Sequence, residues 1–429
     1  MGRVIILGGG YAGLHAFAGL RARLGRQMDD GEIEVTLISR DPYHTYHGWT
    51  GEVLSGRLAV ERTLTPIAPM LHEHFLQAEV SGVDLVGRVV RVRTAEGENR
   101  VLAFDQLLFA TGSKDPFDRL PGLAEHGWCV KDSRDMQKLV GRLEALETQP
   151  AAVCSVAIIG GGMAGVETAS ALALRFRERG VTQIAVHLVA SGDCLLGGLR
   201  PDFTSIAQHA TAVLEGQGIQ VHYGRRVARI AEERIVFADG TSLLSDLTVA
   251  AAGIVFDGLP GADALPRSQT GQLRVDSNLQ VFGQPGIWAA GDIAAVRHPA
   301  TGEPCPTNAL WAMKQGDCVG RNMARAIEGK PARGFGFKGL GQAAGLAGGG
   351  GISELFRLQF TGRPAWLLRI LFFAWFMPSR AKGFGIVRDL LAQWAASALL
   401  RRPVPARPIS AQIGNLASGS LSLERVTRP

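Results

Sequence analysis

The sequence predicts an α/β chain in which one doubly wound domain is inserted into another of the same design, with an amphipathic helical region at its C-terminal end. Three observations lead there. Val4-Ile5-Ile6-Leu7 runs into Gly8-Gly9-Gly10-Tyr11-Ala12-Gly13, and Val156-Ala157-Ile158-Ile159 runs into Gly160-Gly161-Gly162-Met163-Ala164-Gly165. Each reads as a short apolar strand, a glycine turn and the start of a helix. Further along, Gln106 to Ser113 and Thr248 to Gly253 are apolar runs that end in alanine and glycine, one behind each turn. Gly286 to Asp292 is another such run, ending in Gly291-Asp292, where an inserted domain would hand the chain back to the first.

In a turn of this spacing the first glycine permits the bend, the second lets the backbone approach a pyrophosphate, and the third lets helix and strand pack closely. The helix N-terminus then faces the anion. A lone G-x-G-x-x-G says little. Two in the same strand-turn-helix context point to two Rossmann-like domains and two dinucleotides, an arrangement suited to passing electrons between a fixed flavin and a visiting nicotinamide. Leu14 to Leu24 reads as the helix behind the first turn and Ile33 to Ile38 as the next strand. An acidic residue commonly follows that strand and holds the ribose hydroxyls. Here Ser39 and Arg40 stand there, and Ala190 and Ser191 stand at the matching point after Ala185 to Val189, so no acid selects between NADH and NADPH. The expected boundaries are 1–150 and 276–335 for the first domain, 151–275 for the inserted one, 336–402 for the C-terminal region and 403–429 for a disordered Pro/Arg/Ser-rich tail.

With 429 residues, 46% of them hydrophobic, the chain can bury more than one core, which excludes disorder as the main state. A net charge of +6 invites an anionic partner, but no nucleic-acid module is present, so no nucleic acid is expected. The five cysteines, Cys129, Cys154, Cys194, Cys305 and Cys318, form no closely spaced pair, which argues against a disulfide framework and a metal site. Mostly buried thiols in a reducing compartment are expected. The strand pattern begins too early for a signal peptide, so the expected location is cytoplasmic.

Phe360-Thr361-Gly362-Arg363-Pro364-Ala365-Trp366-Leu367-Leu368 leads into an apolar stretch to Met377 that is too short to span a bilayer and is interrupted by Arg369. A second helical pattern follows from Gly385 to Leu400. Trp366, Phe372, Phe373 and Trp375, with Arg380, Lys382, Arg388, Arg401 and Arg402, suit a helix pair lying in the headgroup plane. A hydrophobic dimer interface is the alternative.

Taken in order, the Gly8 turn, Ala110-Thr111-Gly112, the Gly160 turn and Gly291-Asp292 resemble the flavoproteins with two dinucleotide-binding domains. The Phe-Thr-Gly, Ala-Trp-Leu passage, with Asp41-Pro42-Tyr43-His44, Pro121-Gly122, Glu125-His126 and Lys131, is similar to the type II NADH:quinone oxidoreductases. That resemblance implies FAD on the first domain, held by Gly8, Gly10, Tyr11, Ala12, Gly13, Ser39, Arg40, Val80, Ala110, Thr111, Gly112, Gly291 and Asp292. It implies NADH, or NADPH, on the second, at Gly160, Gly162, Met163, Ala164, Gly165, Ala190 and Gly253. Glu167 matches a glutamate near the nicotinamide that handles protons, although a carboxylate favouring the helix dipole is the other reading. Lys338, followed by Gly339, matches a lysine near the flavin, and both Glu167 and Lys338 are catalytic candidates. A quinone is implied beside Ala309, Leu310 and Lys314, where Leu310 and Lys314 replace the family's glutamines. The implied partners are the quinone, the cytoplasmic face of the cell membrane, held peripherally, and a second copy in a homodimer. No proton pumping is implied. Three alternatives stay open: a sulfide:quinone reductase using Cys129, Cys154 and Cys305, a soluble ferredoxin-type reductase, and a non-enzymatic redox-sensing flavoprotein.

Overall fold

The computed structural model describes residues 2–148, 154–199, 203–348 and 350–399; Arg401, Arg402 and the tail at 403–429 lie outside them. Contacts divide the chain into two units. The first comprises Met1–His47, Val60–Pro116 and Gly253–Leu340; the second comprises Gly48–Ala59, Phe117–Ala252 and Gly341–Pro429.

In the first unit a seven-stranded sheet is built around the strand Gly2–Leu7. Ile33–Ser39 pairs with it in parallel on one side, Gly2 opposite Ile33 and Leu7 opposite Ile38. Gln106–Phe109 pairs in parallel on the other, and Ile287–Ala289 lies beyond that. The central strand is buried at Val4, Ile5, Ile6 and Leu7, as expected of a parallel strand covered on both faces. The helix Tyr11–Asp29 packs against the helix Ala309–Ile327, which rejoins this unit from the far end of the chain.

The second unit repeats the plan. Its sheet is centred on Cys154–Ile159, flanked in parallel by Ile184–Val189 and by Leu247–Ala250. In both units, therefore, the strand before the glycine turn is central, with the run that ends in alanine and glycine on one side. The unit adds an antiparallel sheet of Gly341–Leu346, Gly350–Leu355 and Leu358–Thr361, then the helices Gly362–Phe376 and Arg380–Leu399.

The contact units depart from the boundaries expected from sequence. Gly127–Trp128 extends the second sheet by pairing with Thr248 and Val249, so residues 117–148 cluster with the second unit and not with 1–150. Residues 253–275 cluster with the first, through Val83 N–H donating to Pro260 O and an isolated bridge between Lys114 and Val255. No helix among the described residues is long and apolar enough to cross a membrane. The outward face of the Gly362–Phe376 helix also differs from expectation: Trp366 is buried and Phe373 stands edge-on to Trp49, whereas Leu367, Leu371 and Trp375 are exposed. Arg369, read from sequence as a polar interruption, is fully buried.

Candidate dinucleotide sites

In the first unit Gly8 N–H donates to Ile38 O and Ala110 N–H to Leu7 O, so the strand ends on either side of the turn are fixed to it. A Cβ on Gly8, whose φ is +119°, would lie 2.3 Å from Ala110 O, and one on Gly13 would lie 1.9 Å from Gly8 O. Neither position admits another residue. A Cβ on Gly9 would come within 3.0 Å of the Ser39 side chain, and one on Gly291 within 3.0 Å of Ala12. The turn residues Gly8, Gly10, Tyr11, Ala12 and Gly13 are thus brought together with Ser39, Ala110, Thr111 and Gly291.

Gly10 caps the Tyr11–Asp29 helix with no side-chain hydrogen bond, the first turn carries no acidic residue, and a Cβ there would meet nothing within 4 Å. The first N–H groups of the helix therefore face open space, the requirement for a phosphate. FAD fits this cradle. Ser113, next to Thr111 and Gly112, donates its hydroxyl to Asp292 at 2.6 Å, and Gly291 N–H donates to the buried Gln315 side chain at 2.8 Å. His44 donates from Nδ1 to Gly9 O at 3.2 Å. Burial first, then His47, pushes the His44 pKa down to about 3, so its ring is neutral.

Other expected residues are placed by contacts of their own. Arg40 is exposed and pairs with Asp41 at 3.2 Å. Val80 lies on Phe75–Asp84 opposite Val92, beyond the point where Gln77 pairs with Ser39. Ala309 and Leu310 open the helix that Asn308 caps by accepting from Trp311 N–H. Lys314 lies on the next turn of that helix, half-buried. Lys338 is exposed, and a Cβ on its neighbour Gly339 would approach Trp311 to 3.2 Å. His298 accepts at Nδ1 from Ala300 and Thr301 N–H, so Nε2 carries the proton and donates to Lys338 O.

The second unit builds the same cradle at Gly160, Gly162, Met163, Ala164 and Gly165. A Cβ on Gly160, φ +125°, would lie 2.3 Å from Ala251 O, and one on Gly165 would lie 1.8 Å from Gly160 O. Gly162 caps the helix Met163–Glu178 with open space before it. Ala190 occupies the place that Ser39 has in the first unit, 2.8 Å from where a Cβ on Gly161 would stand. Gly253, φ +101°, directly follows Ala252, whose N lies 3.4 Å from where a Cβ on Gly160 would stand, and it opens the last segment of the first unit.

Glu167 lies past the first turn of its helix, which holds no acidic residue, so its alternative reading as a carboxylate favouring the dipole is corrected. It is instead part of a buried cluster that the sequence reading missed. Arg369 donates from Nη1 to Glu52 Oε1 at 2.7 Å and from Nη2 to Gly48 O at 2.8 Å and to Glu167 Oε1. Gly345 N–H donates to the same Glu167 oxygen at 3.0 Å. Burial first, then Glu52, raises the Glu167 pKa, while Arg369 and the Gly345 N–H hold it down. The only sequence signal for Arg369 was a cation within an apolar run; Glu52, in the short helix Thr50–Leu54, had none.

The cysteines form no disulfide among the described residues. Burial raises Cys305 to about 12, and burial with Asp246 raises Cys154 to about 12, so neither is a ready thiolate.

The family model of the pyridine nucleotide-disulphide oxidoreductases matches residues 2–316. A demethylphylloquinone reductase, NdbB, from Synechocystis is 30% identical over 88% of this chain and 92% of its own. A type II NADH:quinone oxidoreductase from Staphylococcus aureus is 26% identical over 85% of this chain and 92% of its own. The solved structure of NDH2 from Plasmodium falciparum in complex with NADH superposes with a TM-score of 0.78 at 18% identity, over 94% of this chain and 99% of that one, and shows the shared fold. With two glycine cradles on two sheets and a family match over most of its length, the chain belongs to the pyridine nucleotide-disulphide oxidoreductase family.

Proposed function

We propose that the protein is an oxidoreductase that oxidises NADH through FAD and reduces a quinone, without pumping protons. The observation that carries this reading is the pair of helix N-termini without a side-chain cap, behind Gly10 and Gly162, on two sheets of one chain. The names of the relatives supply the acceptor class: a quinone in both. FAD, when bound, accepts a hydride and returns two electrons to a second acceptor.

The Gly8 cradle would hold the FAD pyrophosphate, and Asp292, fixed by Ser113, would bond the ribityl hydroxyls. Gly160, Gly162 and Gly165 hold the pyrophosphate of NADH, with NADPH as the competing nucleotide because no acid stands at Ala190. Oxidation of NADH releases a hydride, and quinol formation consumes two electrons and two protons, so one proton comes from solvent. Glu167, half-buried and held in hydrogen bonds, is the group that passes it on. Lys338 would supply a positive charge on the flavin side of the site. The quinone is assigned to the neighbourhood of Ala309, Leu310 and Lys314.

A quinone is lipid-soluble, and the exposed Leu367, Leu371, Trp375 and Phe384, with Arg363, Arg380 and Arg388, suit the cytoplasmic face of the cell membrane. A homodimer burying the same residues is the competing use of that surface. Anaerobic mixing with NADH should bleach the flavin, and a menaquinone or ubiquinone analogue should restore its colour at a rate that supports turnover. Bleaching with no reoxidation by either quinone would transfer the acceptor role to a soluble protein.

A further inference from the structure

We propose that Arg369 and Glu52 are positioning residues for Glu167: one buried guanidinium, gripped by Glu52, fixes the direction of the Glu167 carboxylate and sets how readily it gains and releases a proton. The inference deepens the reading in which Glu167 supplies a proton to quinone reduction, and rests on it.

The Arg369 side chain has 0% exposure and stands between carboxylates that are 9% exposed at Glu52 and 19% at Glu167. It grips Glu52 with two nitrogens, at 2.7 and 3.3 Å, and reaches Glu167 with the Nη2 that also bonds Gly48 O. Phe373 closes over the guanidinium at 4.7 Å. A Cβ on Gly345 would lie 2.9 Å from Glu167 Oε1 and 3.3 Å from Arg369 Nη1, so a side chain there would displace the carboxylate or the guanidinium.

One cation faces two carboxylates, so the cluster carries more acidic than basic groups. Pairing alone needs a single carboxylate, and a buried pair adds little stability over apolar packing. The second carboxylate is the part that pairing does not explain. The negative charge of Glu52 beside the same guanidinium favours the protonated form of Glu167. Glu52, a like charge, and Arg369, an opposite one, act on Glu167 in opposite senses.

A cavity of about 30 Å³ adjoins them, lined by Glu52, Glu167, Ser55 and Arg57 among others. That exceeds the roughly 10–15 Å³ one water requires. Arg57 is the other charged group on that lining, and it is engaged by Glu178 at 2.6 Å. The strand Gly341–Leu346, which packs on the Glu167 helix, brings no ionisable side chain. Glu52 and Arg369 are thus the groups that tune Glu167.

The test is an infrared pH titration of the full-length FAD-loaded protein, following the protonated-carboxyl band that disappears in Glu167→Gln. In Arg369→Gln the midpoint should rise by about one pH unit or more, and in Glu52→Gln it should fall, because an opposite and a like charge are being removed. Arg369→Lys should restore most of the wild-type midpoint. The pH profile of flavin reoxidation by a quinone analogue should move in the same two senses. Unmoved midpoints, or shifts of one sign in both variants, overturn the proposal. Should Arg369→Gln fail to fold, the fall in Glu52→Gln and the rescue by lysine decide the matter. Opposite infrared shifts in a protein that never reduces quinone would uphold the cluster and remove the quinone reading instead.

Discussion

Glycine positions were the residues most open to reading from sequence, because the requirement they meet is steric and local. At Gly13 and Gly165 a Cβ would sit under 2 Å from the carbonyl of the first turn glycine, and no tertiary context alters that. Asp292 was legible by its place after Gly291. If it holds the ribityl hydroxyls, Asp292→Ala should weaken FAD binding about ten- to a hundredfold, the loss of a charged hydrogen bond of about 1.5–3 kcal/mol. Flavin absorbance after gel filtration measures it, and full occupancy would remove the role. Arg369 could not be read in this way. An arginine in Leu368-Arg369-Ile370 has the same sequence appearance whether it faces solvent or two carboxylates, and Glu52 is distant in the chain. The contact between Gly291 and Gln315 was hidden for the same reason.

Among the elements, the strand-turn-helix units were visible because a central parallel strand is apolar throughout and is punctuated by glycine. The Gly362–Phe376 helix was visible as a helix but not in its orientation. Its apolar residues run all round, so no stripe tells which side meets the core. The structure turns Trp366 inward and leaves Leu367, Leu371 and Trp375 on one exposed face, with Arg380 stacked on Trp375 at 4.3 Å. Replacing Leu371 and Trp375 by glutamate should abolish co-sedimentation with neutral vesicles at any salt concentration. Arg380→Gln should weaken binding to anionic vesicles about fivefold at low salt, for a contribution of about 1 kcal/mol, and not at high salt. Arg388 should matter less, since Asp389 already engages it at 2.8 Å. Binding unchanged by the glutamates, with a monomer forming from a dimer, would assign the face to a second copy of the chain.

At the scale of the whole molecule, the duplication of the dinucleotide fold was legible and the course of the chain between the two copies was not. Pairing of Gly127–Trp128 with Leu247–Ala250 joins segments over a hundred residues apart, which no local pattern reveals. The central claim is that the two cradles serve different dinucleotides, FAD at Gly8 and NADH at Gly160. Gly162 is extended, with φ −81°, and a Cβ there meets nothing within 4 Å, so a bulkier residue should fold and intrude only on a ligand. The most direct measurement is therefore flavin content and stopped-flow bleaching by NADH in Gly162→Val. The account expects FAD near one per chain, with bleaching at limiting NADH slowed by well over about tenfold, a loss above roughly 1.4 kcal/mol. Loss of FAD with nucleotide binding retained would contradict it and reverse the two sites.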